Sequence, residues 1–486
     1  MTGRPPLPCS AYLVAGLGRA GTAALAALSR HPAAERVVAW DEASTPLTRA
    51  GARTARRTGV EVVLGGDGLD ALSKAGPNVT IIKSPGIYPD IPLLRAARVN
   101  GVQVLDELEL GWRLSDAPMV AVTGTNGKST TCALVLEVLH AAGERASSAG
   151  NTEFGPPLSG IAADGWVVCE ASSFQLEASP SFQPDVAVFT NLTLEHLARH
   201  RTMERYGAAK RGMFIGSERT AGTSIINIDD PFGRGLAGEV GTAGGAVVTY
   251  GFAADADMRV EAASWDIRTA ALRLCTPRGV VELETQLPGE HNARNVAAAL
   301  AVGHALGFPA RASADALSHV KAPPGRWEVI DNDRPFDVVV DYAHTPDGIY
   351  QALSAVRSIL AARGTGALIT VFGAVGVRDP DKARESGRLV RALSDHLILT
   401  TGTTAGDPRI PRLQELIAAA GEGGTLEIIL DREAAIWRAV AVASAGDVVL
   451  ALGLGALGRL ILDRTGAVRQ LDDREVARAA LRALPV

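Results

Sequence analysis

Seven consecutive residues, Gly124-Thr125-Asn126-Gly127-Lys128-Ser129-Thr130, hold the most specific chemistry in the chain. They follow an apolar run, Met119 to Val122, and precede a stretch whose apolar spacing predicts a helix through about His140. A loop between a strand and a helix can turn successive backbone N–H groups onto phosphate oxygens. Lys128 would then supply a cation for a transferred phosphoryl group, and Ser129 a hydroxyl for Mg²⁺. Only Gly124 precedes Gly127 in the loop, so this is a shorter variant of the Walker pattern.

Three polar residues follow at or just beyond predicted strand ends: Glu170 in VCEASSFQ, His196 in NLTLEHL and Lys210 in YGAAKR. A carboxylate beside a phosphate loop can complete Mg²⁺ coordination, directly or through water. Taken singly, Glu170 or His196 fits a capping or solvated residue equally well, and Lys210 fits a surface helix lysine; their order after the loop favours a site. A second motif lies near the start, where Gly16, Gly18 and Gly21 form G-x-G-x-x-G after a strand and Asp41 comes 20 residues after Gly21. A tight turn and a helix N-terminus facing a diphosphate suit a nucleotide-diphosphate sugar as well as NAD, and the same glycines would also serve plain strand–helix packing. Lys83-Ser84-Pro85-Gly86 ends another strand, where ligands collect in such sheets.

The elements that must position these residues read as α/β throughout. The chain has 486 residues, 47% hydrophobic and 21% charged, enough for about three domains of roughly 150 residues each. AYLVAG, ERVVAW, VEVVLGG, VTIIKS and VQVLDELEL read as strands separated by Ala-rich helical stretches, the pattern of a parallel sheet with crossover helices. SDAP at 115–118 and KAPPG at 321–325 interrupt the pattern, giving a Rossmann-like domain over 1–117, a P-loop ATPase-like domain over 118–322 and a second Rossmann-like domain over 323–486. A net charge of −5 offers no broad cationic surface for nucleic acid or an anionic membrane. No apolar run is long enough for a bilayer and no signal peptide opens the chain, so a cytoplasmic monomer is expected. Cys9, Cys132, Cys169 and Cys275 lack metal-ligand spacing and are expected to be reduced.

The loop, Glu170, Asn191 with His196, and Lys210 together resemble the Mur ligase family, ATP-dependent amide-forming enzymes of peptidoglycan precursor synthesis. The resemblance spans nearly the whole chain. It implies catalytic roles for Lys128, Glu170, His196 and Lys210. Two Mg²⁺ would be held by Ser129, Glu170, His196 and a carbamylated Lys210. ATP would be bound by Gly124 to Thr130, by Asn292 and Asn295 of EHNARN, and by Arg326 and Asp341 between domains. It assigns Gly18, Arg19, Asp41 (to uracil), Ser84, Gly86, Asn151, Thr152, His344 and Thr345 to the substrates.

Within the family, the first two domains look most like the members that add D-glutamate to UDP-N-acetylmuramoyl-L-alanine, through GLGRAG, KSPG, DELEL and EASSFQLE, and that reaction is the one expected. The third domain departs. DYAHTPD at 341–347 and LDDREVAR at 471–478 look more like the members that add a diamino residue, although their Asp-Asn-Pro-Arg motif is missing and AGDPR at 405–409 stands in roughly its place. The Ser-Lys and Ser-Pro elements usual for the glutamate-adding members are absent too. Glu195 replaces the common Asp before the histidine, and Ala198 a following Asp. The alternatives are addition of L-Glu or a diamino acid, service in a specialised pathway, and, from other classes, an ATP-driven switch or an NAD oxidoreductase.

Overall fold

A computed structural model describes residues 4–151, 155–217, 219–373, 380–402, 416, 418, 425–461 and 468–484. Three sheets, one per domain, carry the architecture. The first is all parallel, in the order β3-β2-β1-β4-β5, built from β1 (Ala11–Ala15), β2 (Arg36–Asp41), β3 (Glu61–Leu64), β4 (Val79–Lys83) and β5 (Gln103–Asp106). The chain moves outward from β1 to β2 and β3, then crosses to β4 on the other side. The crevice beyond the carboxyl ends of β1 and β4 is therefore a switch point, where ligands of open α/β sheets bind. Gly21 allows the first helix, Arg19–Leu28, to sit close to this turn: a Cβ there would lie 1.6 Å from the Gly16 carbonyl oxygen.

VQVLDELEL is not one strand. β5 ends at Asp106, which caps the helix Glu107–Leu114 by accepting from Leu108 N at 3.1 Å. The alternating Glu and Leu imitate a period-two strand because both glutamates are buried against the central domain. Glu107 accepts from Ser159 N at 2.6 Å, and Glu109 accepts from Ser181 N at 3.2 Å and pairs with Arg113 at 2.8 Å.

The central sheet runs β14-β13-β12-β11-β10-β9-β6-β8-β7. β6 (Met119–Thr123), β7 (Ala146–Gly150), β8 (Trp166–Glu170), β9 (Val186–Phe189), β10 (Thr223–Asn227), β11 (Ala246–Gly251) and the start of β12 (Met258–Trp265) pair in parallel. β13 (Ala270–Thr276) and β14 (Gly279–Thr285) continue antiparallel from β12. β6, β8 and β9 are almost entirely buried apolar runs, as strands covered on both faces must be. The helices Lys128–Ala141 and Glu290–Ala305 cover one face, the second through the small, buried run Val296–Gly303, which lets it pack closely.

The third sheet is β15-β16-β20-β17-β18-β19, with β15 (Glu328–Val329) antiparallel to β16 (Asp337–Asp341) and the rest parallel: β17 (Leu368–Phe372), β18 (His396–Leu399), β19 (Thr425–Ile428) and β20 (Val448–Leu452). LDDREVAR has a structural use here. Asp473 makes two hydrogen bonds to the fully buried Arg432, at 2.9 and 2.6 Å, while Arg474 and Arg478 pair with Glu328. The structure is thus a three-domain α/β fold, Rossmann-like at both ends around a P-loop ATPase-like centre. Among the described residues no helix is long and apolar enough to cross a membrane. Cys132 and Cys169 are buried, and all four cysteines are free thiols.

Candidate active site

The loop Gly124–Gly127 leaves β6 beside β9 and enters the helix Lys128–Ala141. Gly127 has φ +83°, and a Cβ there would stand 2.6 Å from Asn295 Oδ1, so both its backbone and its neighbour require glycine. Asn191 fixes the loop, accepting from Asn126 N at 2.9 Å and donating to its carbonyl at 3.2 Å. Lys128 folds back, donating to the carbonyls of Thr125 at 2.7 Å and Gly124 at 3.2 Å. Burial lowers its pKa from the ordinary lysine value.

Ser129 Oγ donates to Glu170 Oε2 at 2.6 Å, and Asn151 Nδ2 reaches Glu170 Oε1 at 3.4 Å. Among the described residues no three His, Cys, Asp or Glu side chains converge enough to chelate a metal by themselves. Mg²⁺ usually takes one or two carboxylates and completes its shell with substrate phosphates and water. A hydroxyl and a carboxylate facing a phosphate-type loop fit that ion.

His196 occupies the left-handed backbone region, φ 59°, ψ 20°, a conformation that a non-glycine residue keeps only where its surroundings hold it. Its ring packs on Phe174 at 4.6 Å between centroids and lies 3.5 Å from Glu195 Oε1. Burial first, then Lys128, Lys210 and Lys382, push its pKa far below the usual imidazole value, leaving a neutral ring. Lys210 is not a surface lysine. It is 1% exposed, donates to the Gly124 carbonyl at 2.7 Å and lies over the Tyr206 ring. Among the described residues it forms no ion pair, and burial drives its pKa well below the ordinary value.

Two adjoining cavities meet at the loop. One, of about 270 Å³, is lined by Asn126, Gly127, Thr130, Asn292, Asn295, Arg326 and Asp341, together with Asp229, His291 and Arg294. The other, of about 250 Å³, is lined by Thr125, Lys128, Ser129, Asn151, Glu170, His196, His344 and Thr345, with Glu195, Ala456 and Leu457. Asp341 takes N–H groups from Trp327 and Ala343 at 2.6 and 2.7 Å, and Arg326 lies over Tyr342.

Gly18, Arg19, Asp41, Ser84 and Gly86 are set apart, around the switch point of the first sheet. Asp41 there braces the glycine turn, accepting from Leu17 N at 2.7 Å and Ala43 N at 2.9 Å. Arg19 donates to the Gly155 carbonyl at 2.6 Å. Thr152 and the AGDPR segment lie outside the described residues.

Sequence reasoning missed Asp347 and Lys382, two residues that join domains. Asn126 Nδ2 donates to Asp347 Oδ2 at 2.8 Å while its Oδ1 accepts from Thr345 at 2.9 Å. Lys382 reaches Glu195 from the third domain at 2.8 Å. Asp347 lay within DYAHTPD and could have been found there; nothing around Lys382 in the sequence marks it.

A phosphate-type loop, a hydroxyl–carboxylate pair beside it and a third domain joined to the loop through Asn126 fit an ATP-dependent ligase, and comparison with known proteins agrees. Residues 122–303 match the Mur ligase middle domain and residues 325–455 match the Mur ligase glutamate ligase domain. A protein of Thermosynechococcus vestitus named UDP-N-acetylmuramoyl-L-alanyl-D-glutamate--2,6-diaminopimelate ligase is 34% identical over 389 residues, covering 75% of this chain and 76% of its own. A protein of the same name from Gloeobacter violaceus is 33% identical over 420 residues, covering 82% of this chain and 84% of its own. The chain belongs to the Mur ligase family, ATP-dependent amide ligases of peptidoglycan precursor synthesis. Solved structures share the fold. A UDP-N-acetylmuramate-alanine ligase from Thermotoga maritima has TM-score 0.60 at 20% identity over 97% of this chain and 98% of its own, and MurF from Acinetobacter baumannii has TM-score 0.61 at 16% identity over 97% and 93%. The expectation of a glutamate-adding enzyme is corrected by the Thermosynechococcus and Gloeobacter relatives, which carry the name of the diaminopimelate-adding ligase. GLGRAG, KSPG and DELEL misled because they serve turn geometry and domain packing, which do not depend on the amino acid added.

Proposed function

We propose that this protein uses ATP to join a diamino acid to one of the two free carboxylates of a UDP-N-acetylmuramoyl dipeptide ending in glutamate, in the cytoplasm. The observation that carries the reading is a ligase-type site inside a chain at least 33% identical, over three quarters of its length, to relatives named for that reaction. We place the domains at 1–117 for the nucleotide sugar, 118–322 for ATP and 323–486 for the incoming amino acid.

An oxygen of the acceptor carboxylate attacks the γ-phosphorus of ATP, the bond to the β-phosphate breaks and ADP leaves, giving an acyl phosphate. The incoming neutral amine attacks that carbonyl, and the tetrahedral intermediate collapses with loss of a proton from nitrogen and departure of phosphate, which carries the former carboxylate oxygen. Most of this is positioning and charge neutralisation. Lys128 swings from its two carbonyl partners onto the γ-phosphate. Asn292, Asn295, Arg326 and Asp341 hold the nucleotide, while His344 and Thr345 line the amine's approach. Ser129 and Glu170 would hold one Mg²⁺, and neutral His196 together with a carbamylated Lys210 would hold the second. A buried lysine of depressed pKa has the free amine that carbamylation consumes, and the product offers the oxygens that Mg²⁺ prefers. Bound Mg²⁺ would neutralise charge gathering on the phosphates. The third domain, docked on Asn126 and Glu195, excludes the water that would hydrolyse an acyl phosphate.

A phosphate-release assay tests the reading. With UDP-N-acetylmuramoyl-L-alanyl-D-glutamate, ATP and Mg²⁺, release should require meso-diaminopimelate or L-lysine. Release that ignores the nucleotide sugar, or that needs only UDP-N-acetylmuramoyl-L-alanine and glutamate, would overturn it.

A further inference from the structure

One buried arginine has no part in that chemistry, yet touches both halves of it. Arg199 sits on the short helix Leu197–His200 that His196 opens, and its side chain is 1% exposed. Its guanidinium donates to the carbonyls of Pro85 at 3.0 Å and Ile87 at 2.9 Å, in the first-domain loop after β4. It also pairs with Glu177 and lies over the Phe174 ring, 4.2 Å from the centroid. That ring is the one His196 packs against.

The contacts form a short chain with little slack. Ser84 N donates to the Ala15 carbonyl at 2.8 Å and Ser84 Oγ to the Gly16 carbonyl at 3.3 Å, so the loop Arg199 holds is bonded to the glycine turn at the switch point. At the other end, Arg199 N and His200 N both donate to the His196 carbonyl at 3.0 Å, which helps hold His196 in its left-handed conformation. Glu177 accounts for the charge of Arg199; the planar fork accounts for the rest, since Nε serves Glu177 while Nη1 and Nη2 serve the Pro85 and Ile87 carbonyls, three partners that a single ammonium does not hold together.

We propose that Arg199 is a positioning residue that couples the nucleotide-sugar crevice of the first domain to the His196 side of the ATP site, so that each ligand tightens the other. The inference rests on the proposed function, which puts the nucleotide sugar in that crevice. By linkage the tightening is reciprocal, and a coupling of about tenfold lies within the usual range for two communicating sites. Arg199→Lys keeps the charge but gathers it in one ammonium, which cannot hold Glu177 and both loop carbonyls at once, and Glu177→Gln loosens the guanidinium without changing the loop residues.

Calorimetry on the full-length protein tests this, with UDP-N-acetylmuramoyl-L-alanyl-D-glutamate and a non-hydrolysable ATP analogue with Mg²⁺. In the wild type, each ligand should improve the other's Kd by about tenfold. In Arg199→Lys the two Kd values measured singly should stay within about threefold of wild type while the coupling falls below about twofold, with Glu177→Gln intermediate. In turnover assays at saturating nucleotide sugar, the KM for ATP should rise about five- to tenfold, the factor of coupling lost. Full coupling in Arg199→Lys, loss of ATP affinity without the sugar, or a wild type that binds both ligands independently would each overturn the proposal. A wild type that fails to bind the nucleotide sugar at all would instead overturn the functional reading on which it rests.

Discussion

Lys382 of the third domain and Glu195 of the central domain form an ion pair, with Nζ 2.9 Å from Oε1 and 2.8 Å from Oε2 and both side chains less than a tenth exposed. The pair lies beside His196 and joins domains that are far apart in sequence. Removing one partner of such a pair leaves a buried charge uncompensated, at a cost of about 3–5 kcal/mol. That cost falls on docking of the third domain, since neither domain's core includes the pair. Lys382→Met should therefore lose about 10²-fold in turnover, with thermal unfolding little changed. A cycle with Glu195→Gln should return a coupling of at least about 1 kcal/mol; strict additivity would mean that the pair does not hold the domains together.

Lys128 is the cation for which the loop offers no substitute. Lys128→Ala should fold normally, by circular dichroism and thermal midpoint, and lose turnover by roughly 10²-fold or more, the scale of one transition-state donor. Ligation close to wild type by the folded variant would remove Lys128 from the chemistry.

Lys210 should act through oxygen. Lys210→Ala should be nearly inactive, and short-chain carboxylates should restore part of its rate by supplying the oxygens Mg²⁺ prefers. Lys128→Ala, which lacks a cation, should gain nothing from the same salts. Equal rescue of both variants would mark a salt effect, and full activity in Lys210→Ala would end the carbamylation proposal.

The contact between the first and central domains carries a pH signature. Burial raises the Glu107 carboxyl from an unfolded value of 4.5 to about 7. Below pH 4.5 the group is protonated in both states and costs nothing. Between pH 4.5 and 7 the unfolded chain releases its proton while the folded protein keeps it, so stability falls as pH rises through this window and the loss is complete above pH 7. Glu107→Gln keeps an acceptor for Ser159 N and cannot titrate. Its unfolding free energy relative to wild type should rise across that window at up to about 1.4 kcal/mol per pH unit, as measured by denaturant titration. A constant difference between the two proteins from pH 4.5 to 8 would refute the assignment.

The parts of the fold written in contiguous residues were legible from sequence. The loop Gly124–Thr130 lies between a buried strand and a helix, and its neighbours fix its shape, so local pattern and structure agree. Glu170 ends β8 for the same reason. What the sequence hid depends on contacts between domains. Glu107 and Glu109 fall within a run that reads as a strand, because their partners, Ser159 and Ser181, are more than fifty residues away. Arg199 and Lys382 are of a residue type usually solvated, and both are buried here with partners in another domain, Arg199 on the Pro85 and Ile87 carbonyls and Lys382 on Glu195. The amino acid added was misread for a related reason: the motifs that suggested it belong to turns and interfaces.

The central claim, that ATP activates a carboxylate for amide formation, is tested most directly by isotope transfer. The UDP-N-acetylmuramoyl-L-alanyl-D-glutamate acceptor is labelled with ¹⁸O in its free carboxylates and incubated with ATP, Mg²⁺ and the diamino acid, and the released phosphate is analysed by mass spectrometry. An acyl phosphate requires one labelled oxygen to appear in phosphate for each amide formed. Unlabelled phosphate accompanying the amide product, or phosphate released without any amide, would contradict it.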